Sequence, residues 1–193
     1  GDFNGDGKTV LFVFNTNTVR VYSLNDSNQF ILLYQNTTAD TNIDISKPIL
    51  MGDYNGDGKF DFIIPKGAGY SEWYKYTSTG NNIVKQTQTY DGFNYPVSNS
   101  FNTFTIIPTD YNNDGKTDLL LTRSTRNSAN TLGNIGVTCY INKNDTFSLT
   151  SNPYIGNSGD QSGIDIYSLP VFLSSDQPNM NLEIAFINKN LIT

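Results

Sequence analysis

A short acidic, glycine-rich loop that occurs three times constrains the fold of this chain more than any other feature of its sequence. The strings GDFNGDGK, GDYNGDGK and TDYNNDGK start at residues 1, 52 and 109, and a weaker version follows near Asp176. The spacing of roughly 50 to 66 residues indicates an array of similar structural units. Positions are numbered from the first aspartate of each loop, and the loops are residues 2–10 (loop 1), 53–61 (loop 2) and 110–118 (loop 3).

The segments around each loop repeat in phase with it. An apolar stretch precedes the later loops, and a short apolar run follows every loop. Two alternating segments joined by a polar turn come next, as in VRVYSLNDSNQFILLYQ, SEWYKYTSTGNNIVKQTQ and GVTCYINKNDTFSLT. Period-two alternation with many Thr, Tyr, Val, Ile and Phe residues indicates strands. No stretch carries the apolar stripe of a helix, so no helix is predicted.

Each unit is therefore predicted to contain a strand, a loop, a second strand and a hairpin. Four-stranded repeats of this length favour β-propeller blades, because radial repetition lets each small sheet bury both faces against its neighbours. A β-sandwich is the alternative, but it does not predict a loop motif in phase with the repeat. We predict one all-β propeller fragment over residues 1–193, with four-stranded antiparallel units that start near residues 2, 53, 110 and 176. It would form an incomplete arc of about three to four blades, so we expect flanking blades or pairing between copies to cover its strand edges.

Composition excludes several function classes. The net charge of −6 argues against a nucleic-acid or anionic-membrane partner, and no apolar run approaches the roughly 18 residues that a membrane span needs. The chain has no histidine, which removes the commonest general base. The single cysteine, Cys139, falls in an alternating pattern that is typical of a buried core thiol rather than of a nucleophile.

Loop 2 places oxygen donors at alternate positions of a tight turn. Gly58 at position 6 allows the turn, and such an all-oxygen set suits calcium better than magnesium, which prefers a strict octahedron and keeps much of its water. Without a cation, carboxylates about 4 to 5 Å apart would repel by roughly 1 kcal/mol in water. We expect the ammonium of Lys59 to point into solvent. The predicted ligands are Asp53, Asn55, Asp57, the carbonyl of Lys59, and Asp61.

The other loops carry this donor set to different extents. Loop 3 is complete, with Asp110, Asn112, Asp114, the carbonyl of Lys116, and Asp118. Loop 1 offers Asp2, Asn4, Asp6 and the carbonyl of Lys8, but Val10 occupies position 9, so weak or absent binding is expected. The fourth loop has Pro178 and Met180 where donors belong, and we expect no metal there.

These loops have two other interpretations. Asp-Gly and Asn-Gly turns form hairpin connections without any metal. An EF-hand or dockerin loop would have an acid at position 12 and would lead into a helix. Position 12 is instead Ile64 in loop 2 and Leu121 in loop 3, and the sequence that follows is typical of a strand. In-phase repetition of two complete donor sets favours calcium over a bare turn.

The strings GDYNGDGKFDFII and TDYNNDGKTDLLLT resemble the loops of the FG-GAP and VCBS repeat families, which include the integrin α-chain propellers. The resemblance covers essentially the whole chain at the level of blade layout. It implies that the loop joins the first two strands of a blade and binds calcium through positions 1, 3, 5, 7 and 9. SEWYKYTSTGNN also resembles blades of bacterial RHS/YD-repeat proteins and toxin-complex B subunits. That second resemblance implies a large bacterial parent in which the propeller plugs or decorates a YD-repeat shell.

The predicted function is a calcium-stabilised scaffold or interaction module of a larger secreted or surface bacterial protein. Extracellular calcium would fill sites of modest affinity that cytosolic calcium would leave empty, so we predict an extracellular or cell-surface location. The expected partners are flanking blades, a YD-repeat shell, and a protein or glycan ligand, without nucleic acid or membrane insertion.

A carbohydrate-binding lectin is the alternative, because exposed aromatic residues could stack on sugars, although blade packing is the preferred interpretation of the same residues. They are Trp73, Tyr74, Tyr76, Tyr90, Phe93 and Tyr95. A third possibility is a non-catalytic part of a polysaccharide-degrading enzyme. With the carboxylate clusters used by the loops, no separate acid/base pair is left, and we predict that this segment is not an enzyme. Glu72 and Asp91 are assigned to the solvated surface.

Overall fold

The computed structural model describes residues 1–36, 43–69, 71–90, 93–96, 102–126, 132–144, 146–149, 169–173 and 183–187. These residues form thirteen strands and no helix, as the sequence predicts. The described part of the chain accordingly offers no helix of the length and apolarity that crossing a membrane requires.

The strands pair into separate antiparallel sheets in which strands adjacent in sequence lie side by side. Blade 1 contains β1 (Leu11–Asn15), β2 (Thr18–Leu24) and β3 (Phe30–Gln35). Blade 2 contains β4 (Leu50–Gly52), β5 (Asp61–Pro65), β6 (Glu72–Ser78) and β7 (Ile83–Thr89). Blade 3 contains β8 (Asn102–Thr109), β9 (Asp118–Arg126), β10 (Leu132–Asn142) and β11 (Phe147–Leu149). A further pair consists of β12 (Leu169–Leu173) and β13 (Glu183–Ile187).

This arrangement is an incomplete β-propeller arc, and it confirms the predicted fold class. Loops 2 and 3 each join the first and second strands of a four-stranded blade. Loop 1 leads directly into β1, and the strand that would precede it in a complete blade is not among the described residues of blade 1. The described sheets do not close into a ring.

The register of the sheets repeats from blade to blade. Tyr76 of β6 lies opposite Phe62 of β5, and Tyr140 of β10 lies opposite Leu119 of β9. Tyr22 of β2 occupies the equivalent place in blade 1. Two residues further along, the three blades therefore place Leu24, Ser78 and Asn142 at equivalent positions near the loop-bearing end.

Aromatic side chains fill the two spaces between the blades. Between blades 1 and 2, the ring of Phe62 stacks on that of Tyr76 with centroids 4.4 Å apart. Between blades 2 and 3, Trp73 stacks on Phe93 at 5.0 Å, and Phe93 also contacts Tyr140 at 4.6 Å. All five residues of β5 are buried, because this strand has a blade on either side. Packing of neighbouring sheets thus supplies the core.

Burial decides in favour of blade packing for four of the six aromatic residues considered for sugar stacking, whereas Tyr74 and Tyr95 are partly buried. Trp73, Tyr76, Tyr90 and Phe93 are each at most 1% exposed, so they serve blade packing and present no surface for a sugar. Cys139 is 3% exposed, within a small apolar cluster of blade 3, which confirms the predicted core thiol.

Trp73→Ala is expected to lower the free energy of unfolding by about 3–5 kcal/mol, because it removes a fully buried indole and leaves a cavity between blades 2 and 3. Denaturant titration followed by circular dichroism measures the loss. Phe30→Ala is the matched control: that ring is 62% exposed, and its removal should change stability by no more than about 0.5 kcal/mol. Equal losses for the two variants would contradict the assignment of the core.

Candidate metal centres

The three loops share one backbone conformation. Positions 4 and 6 both have positive φ: 77° and 81° at Gly5 and Gly7, and the same values at Gly56 and Gly58. In loop 3 the equivalent residues are Asn113 at 58° and Gly115 at 82°. Glycine adopts this region without steric cost, and asparagine is among the residues that tolerate it best. The common GDGK and NDGK strings therefore encode a common turn.

The aspartate at position 1 holds the turn closed. In loop 2, Asp53 Oδ1 accepts the N–H of Gly56 at 2.7 Å and Oδ2 accepts that of Gly58 at 2.7 Å. Asp2 makes the same two contacts in loop 1, at 2.8 and 2.7 Å. In loop 3, Asp110 Oδ2 accepts the N–H of Gly115 at 2.9 Å. The folded loop is thus formed by side-chain-to-backbone hydrogen bonds.

Positions 3, 5 and 7 lie together on the same turn. Asn55 Oδ1 accepts the N–H of Asp57 at 3.1 Å, and Asp57 Oδ1 accepts that of Lys59 at 2.9 Å. The equivalent distances in loop 3 are 3.1 and 2.9 Å, from Asn112 to Asp114 and from Asp114 to Lys116. The structure therefore places the residues at positions 1, 3, 5 and 7 of both complete loops on one hydrogen-bonded turn.

The lysine at position 7 differs from the prediction. Instead of pointing into solvent, the ammonium of Lys59 forms an ion pair with Asp57 Oδ2 at 3.0 Å. The opposite charge lies only two residues away, and pairing offsets part of the carboxylate repulsion in the turn. In loop 3 the ammonium of Lys116 donates instead to Asn144 Oδ1 at 2.6 Å.

The aspartates at position 9 are fully buried and link each loop to the third strand of its blade. Asp61 Oδ1 accepts the N–H of Ser78 at 2.8 Å, and Oδ2 accepts that of Tyr54 at 3.3 Å. Asp118 repeats the pattern in loop 3, with the N–H groups of Asn142 at 2.7 Å and Tyr111 at 3.0 Å. These carboxylates therefore hold the blade together as well as standing at predicted ligand positions.

Burial raises the pKa of the aspartate at position 9, and the charge of the aspartate at position 5 adds to the rise. The pKa of Asp61 is raised to about 7: burial is the main cause, the Ser78 N–H and the Lys75 charge oppose it, and the charge of Asp57 adds to the rise. Burial also raises the pKa of Asp118, and Asp114 adds to that shift. In both loops the charge at position 5 therefore acts on the carboxylate at position 9.

The position-5 carboxylate of loop 2 is held ionised by its own neighbours. Burial raises the pKa of Asp57, but hydrogen bonds from the Lys59 side chain and backbone and from the Asn55 side chain outweigh it. The net effect is a pKa below the usual value.

The predicted donors are all oxygens, and their carboxylates are engaged with the loop backbone. No group of three Asp, Glu, Cys or His side chains in the described ranges forms a ready-made metal cluster. The position-1 and position-5 carboxylates instead accept N–H groups of their own turn. A carboxylate has about four acceptor positions, and Asp53 uses three of them. Acceptor capacity therefore remains, and every donor is an oxygen, as calcium prefers.

Loop 1 shares the turn but lacks the buried acid. Asp6 Oδ1 accepts the N–H of Lys8 at 2.9 Å, and Asn4 Nδ2 donates to Asp6 Oδ2 at 3.1 Å. The hydrogen bond from Lys8 is the main cause of a lowered pKa at Asp6. Val10 is buried at position 9 and supplies no acceptor.

Some predicted residues lie outside the described ranges, namely Asp176, Pro178 and Met180 of the fourth loop, and Asp91. The strands on either side of the fourth loop pair antiparallel, with Leu173 opposite Glu183, and this pair is separated by one residue more than Gly52 and Asp61 in blade 2. Glu72 is described and forms an ion pair with Lys66 at 3.1 Å.

Sequence reasoning missed Ser78 and Asn142, the residues that contact the position-9 acids. A signal was present: the two units with an acid at position 9 carry a small polar residue two places after the in-phase tyrosine. The unit with Val10 carries Leu24 there. This pairing of residue types becomes meaningful only once the register of the third strand is known.

The sequence matches the FG-GAP-like repeat family over residues 2–64 and again over residues 53–121. The chain belongs to the FG-GAP-like repeat family. The two overlapping matches extend from loop 1 into blade 2 and from loop 2 into blade 3, in phase with the blades. No curated protein sequence matches the chain.

One solved structure is similar to this FG-GAP-like chain, a lectin from Agrocybe aegerita described by its specific recognition of non-reducing terminal N-acetylglucosamine. The identity is 20%, the TM-score is 0.53, and the match covers 90% of this chain. The chain spans only 42% of the lectin's length. At this identity the similarity shows a common fold.

Asp118→Ala is expected to destabilise the protein by about 2 kcal/mol or more even in the presence of EDTA, because the buried N–H groups of Tyr111 and Asn142 lose their acceptor. Asp114→Ala is the control, since its contacts are exposed and its loss should cost less than about 1 kcal/mol in EDTA. Thermal unfolding of both variants in EDTA measures the difference. Equal stability of the two variants would show that position 9 has no structural role without metal.

Proposed function

We propose that this chain is a calcium-stabilised propeller scaffold or interaction module within a larger secreted or cell-surface protein. One observation carries the proposal: loops 2 and 3 present the same oxygen donors in the same turn, each beside a buried aspartate at position 9. Repetition of the full set in two blades is difficult to attribute to turn formation alone, because loop 1 forms the same turn without the buried acid.

Each position of loops 2 and 3 would have its own role in the proposed calcium site. The first aspartate closes the turn, the donors at positions 3, 5 and 7 lie along it, and the position-9 aspartate ties it to the third strand. A bound divalent ion would neutralise the clustered carboxylates and fix the loop between two strands. The residues that would hold it are Asp53, Asn55, Asp57, Lys59 and Asp61 in loop 2, and Asp110, Asn112, Asp114, Lys116 and Asp118 in loop 3.

The proposed setting is extracellular. Loops with partly exposed carboxylates would bind calcium with modest affinity, and only extracellular calcium concentrations would fill such sites. The proposed partners are flanking propeller blades and a protein or glycan ligand, and the net charge of −6 disfavours nucleic acid. A parent of the RHS or toxin-complex type stays a prediction from the SEWYKYTSTGNN resemblance, as does the absence of catalysis.

Removal of calcium with EDTA is expected to lower the melting temperature, and added calcium is expected to restore it. Asp57→Ala and Asp114→Ala should each remove part of the calcium response, since each deletes the position-5 donor of one complete loop. Differential scanning calorimetry with and without calcium measures the response, and magnesium should be a poorer substitute.

Asp6→Ala is the matched control for this experiment, because Asp6 holds position 5 of the loop that lacks an acid at position 9. Its calcium response should equal that of the unmodified protein. Identical melting curves with and without chelator would end the calcium assignment, whereas an equal loss in all three variants would show that loop 1 also binds.

Carbohydrate binding is a second candidate, and a cleft between blades 1 and 2 favours it. Tyr74 lines this cleft of about 430 Å³, together with Lys47, Lys66, Lys85 and Asp44 among others. Lys85 Nζ lies 4.2 Å from the Tyr74 ring centroid. Lys47 pairs with Asp44 at 3.2 Å and Lys66 with Glu72 at 3.1 Å, so these lysines and acids leave one net positive charge at the cleft, which favours an acidic saccharide. The fold shared with an N-acetylglucosamine-binding lectin adds support to binding of a sugar.

If this second function holds, Tyr74→Ala should weaken binding of an acidic saccharide by about tenfold, because the half-buried ring forms one wall of the cleft. A glycan array followed by calorimetry on the best saccharide measures the effect. Tyr22→Ala, on the opposite side of blade 1, is the control and should bind normally. Trp73→Ala is no test, since it disrupts the core. An array without any acidic glycan bound would remove this candidate.

A further inference from the structure

Successive loops contact each other in a repeating register. The N–H at position 8 of one loop donates to the carbonyl at position 1 of the preceding loop. Phe60 N donates to the Asp2 carbonyl at 2.6 Å, and Thr117 N donates to the Asp53 carbonyl at 2.7 Å. The backbone of a proposed ligand residue in loop 2 is therefore bonded directly to loop 3.

Close packing accompanies these hydrogen bonds. A Cβ on Gly52, just before loop 2, would overlap the side chain of Thr117 in loop 3. A Cβ on Gly56 would lie 3.2 Å from Cγ of Lys116, so the stem of that lysine covers position 4 of loop 2. Backbone and side chain thus leave loops 2 and 3 little freedom to move past each other.

The side chain of Asn142 completes the connection. It is 2% exposed, and its Nδ2 donates to the Tyr54 carbonyl at 2.8 Å and to the Thr117 carbonyl at 3.2 Å. Tyr54 lies between the donors at positions 1 and 3 of loop 2, and Thr117 lies between those at positions 7 and 9 of loop 3. The buried side-chain amide of Asn142 therefore binds the backbones of both complete loops. The backbone N–H of the same residue donates to Asp118 Oδ1.

The equivalent residues of the other blades make fewer connections. Ser78 Oγ donates to the Phe3 carbonyl of loop 1 at 2.6 Å. A hydroxyl has a single donor hydrogen, so it cannot donate to two carbonyls at once as the amide does. Blade 1 has Leu24 at this place, and a leucine has no donor.

We propose that Asn142 is a positioning residue that couples loops 2 and 3, so that ordering one loop raises the calcium affinity of the other. The calcium part of this inference rests on the proposed function. A buried amide that lost either carbonyl would have an unsatisfied donor, and movement of one loop is therefore resisted by the other. Such coupling is reciprocal, because each loop must change the affinity of the other by the same factor.

A metal-free experiment tests the connection itself. In EDTA, Asn142→Leu should speed amide hydrogen exchange at both Gly58 and Gly115 by at least about fivefold, within the usual range of coupling between sites. Ser78→Ala is the matched control, since it removes the equivalent side-chain bond from the third strand of blade 2 to loop 1, and it should leave Gly115 unchanged. Asn142→Ser keeps one donor, as blade 2 does, and should restore part of the protection at Gly58.

A calcium titration tests whether loops 2 and 3 bind calcium cooperatively. Asp57→Ala leaves only loop 3 complete, and Asp114→Ala leaves only loop 2 complete. We expect the unmodified protein to bind its second ion at least about fivefold more tightly than these variants predict for independent loops. In Asn142→Leu, calorimetry should return the sum of the two single-loop isotherms, while Ser78→Ala should keep the cooperativity between loops 2 and 3.

The outcomes separate this inference from the proposed function. Calcium binding that is additive already in the unmodified protein would overturn the coupling and leave the calcium function standing. Asn142→Leu could speed hydrogen exchange at both Gly58 and Gly115 while the unmodified protein binds no calcium. That result would support the positioning role and refute the proposed function. Exchange at Gly58 that is unaffected by Asn142→Leu would overturn the positioning role itself.

Discussion

Blades 2 and 3 depend on the hydrogen bonds that the buried carboxylate at position 9 accepts from the backbone. Asp61 and Asp118 are fully buried, and each accepts two backbone N–H groups that lie far apart in the blade. One N–H belongs to the start of the loop and the other to the end of the third strand. A neutral side chain of the same size could satisfy only part of this demand, because both oxygens act as acceptors. The acid thus satisfies backbone N–H groups of blades 2 and 3 before any ligand is considered.

Burial of that charge explains much of the surrounding chemistry. Desolvation disfavours the ionised carboxylate and raises the pKa of Asp61 to about 7. The nearby charge of Lys75 opposes the shift, and Lys59 pairs with Asp57 at the rim of the same loop. The protein therefore compensates its acidic turn in part with its own lysines. A divalent ion would add to this compensation, which is why the proposed calcium function and the structural role of position 9 are compatible.

Much of the fold could be predicted from the sequence, because its signals are local. Alternation placed the hairpins of all three blades, and the in-phase loops placed the connection between the first two strands. The turn itself was also predictable, since positive φ at Gly58 and Gly115 follows from residue type. Local patterns do not determine where long side chains go. The ammonium of Lys59 lies against Asp57 instead of in solvent. Blade packing was the preferred interpretation of Trp73 and Phe93, but only the structure shows that the two rings stack on each other.

The sequence by itself determined an array of antiparallel blades with oxygen-rich turns, because strand periodicity and glycine placement act over a few residues. Only the tertiary structure decided which atoms meet across blades. Asn142 reaches the carbonyl of Tyr54, which is 88 residues away along the chain, and no local pattern specifies that contact. Such contacts depend on how one sheet is set against the next, and that setting results from the packing of whole aromatic faces between the blades.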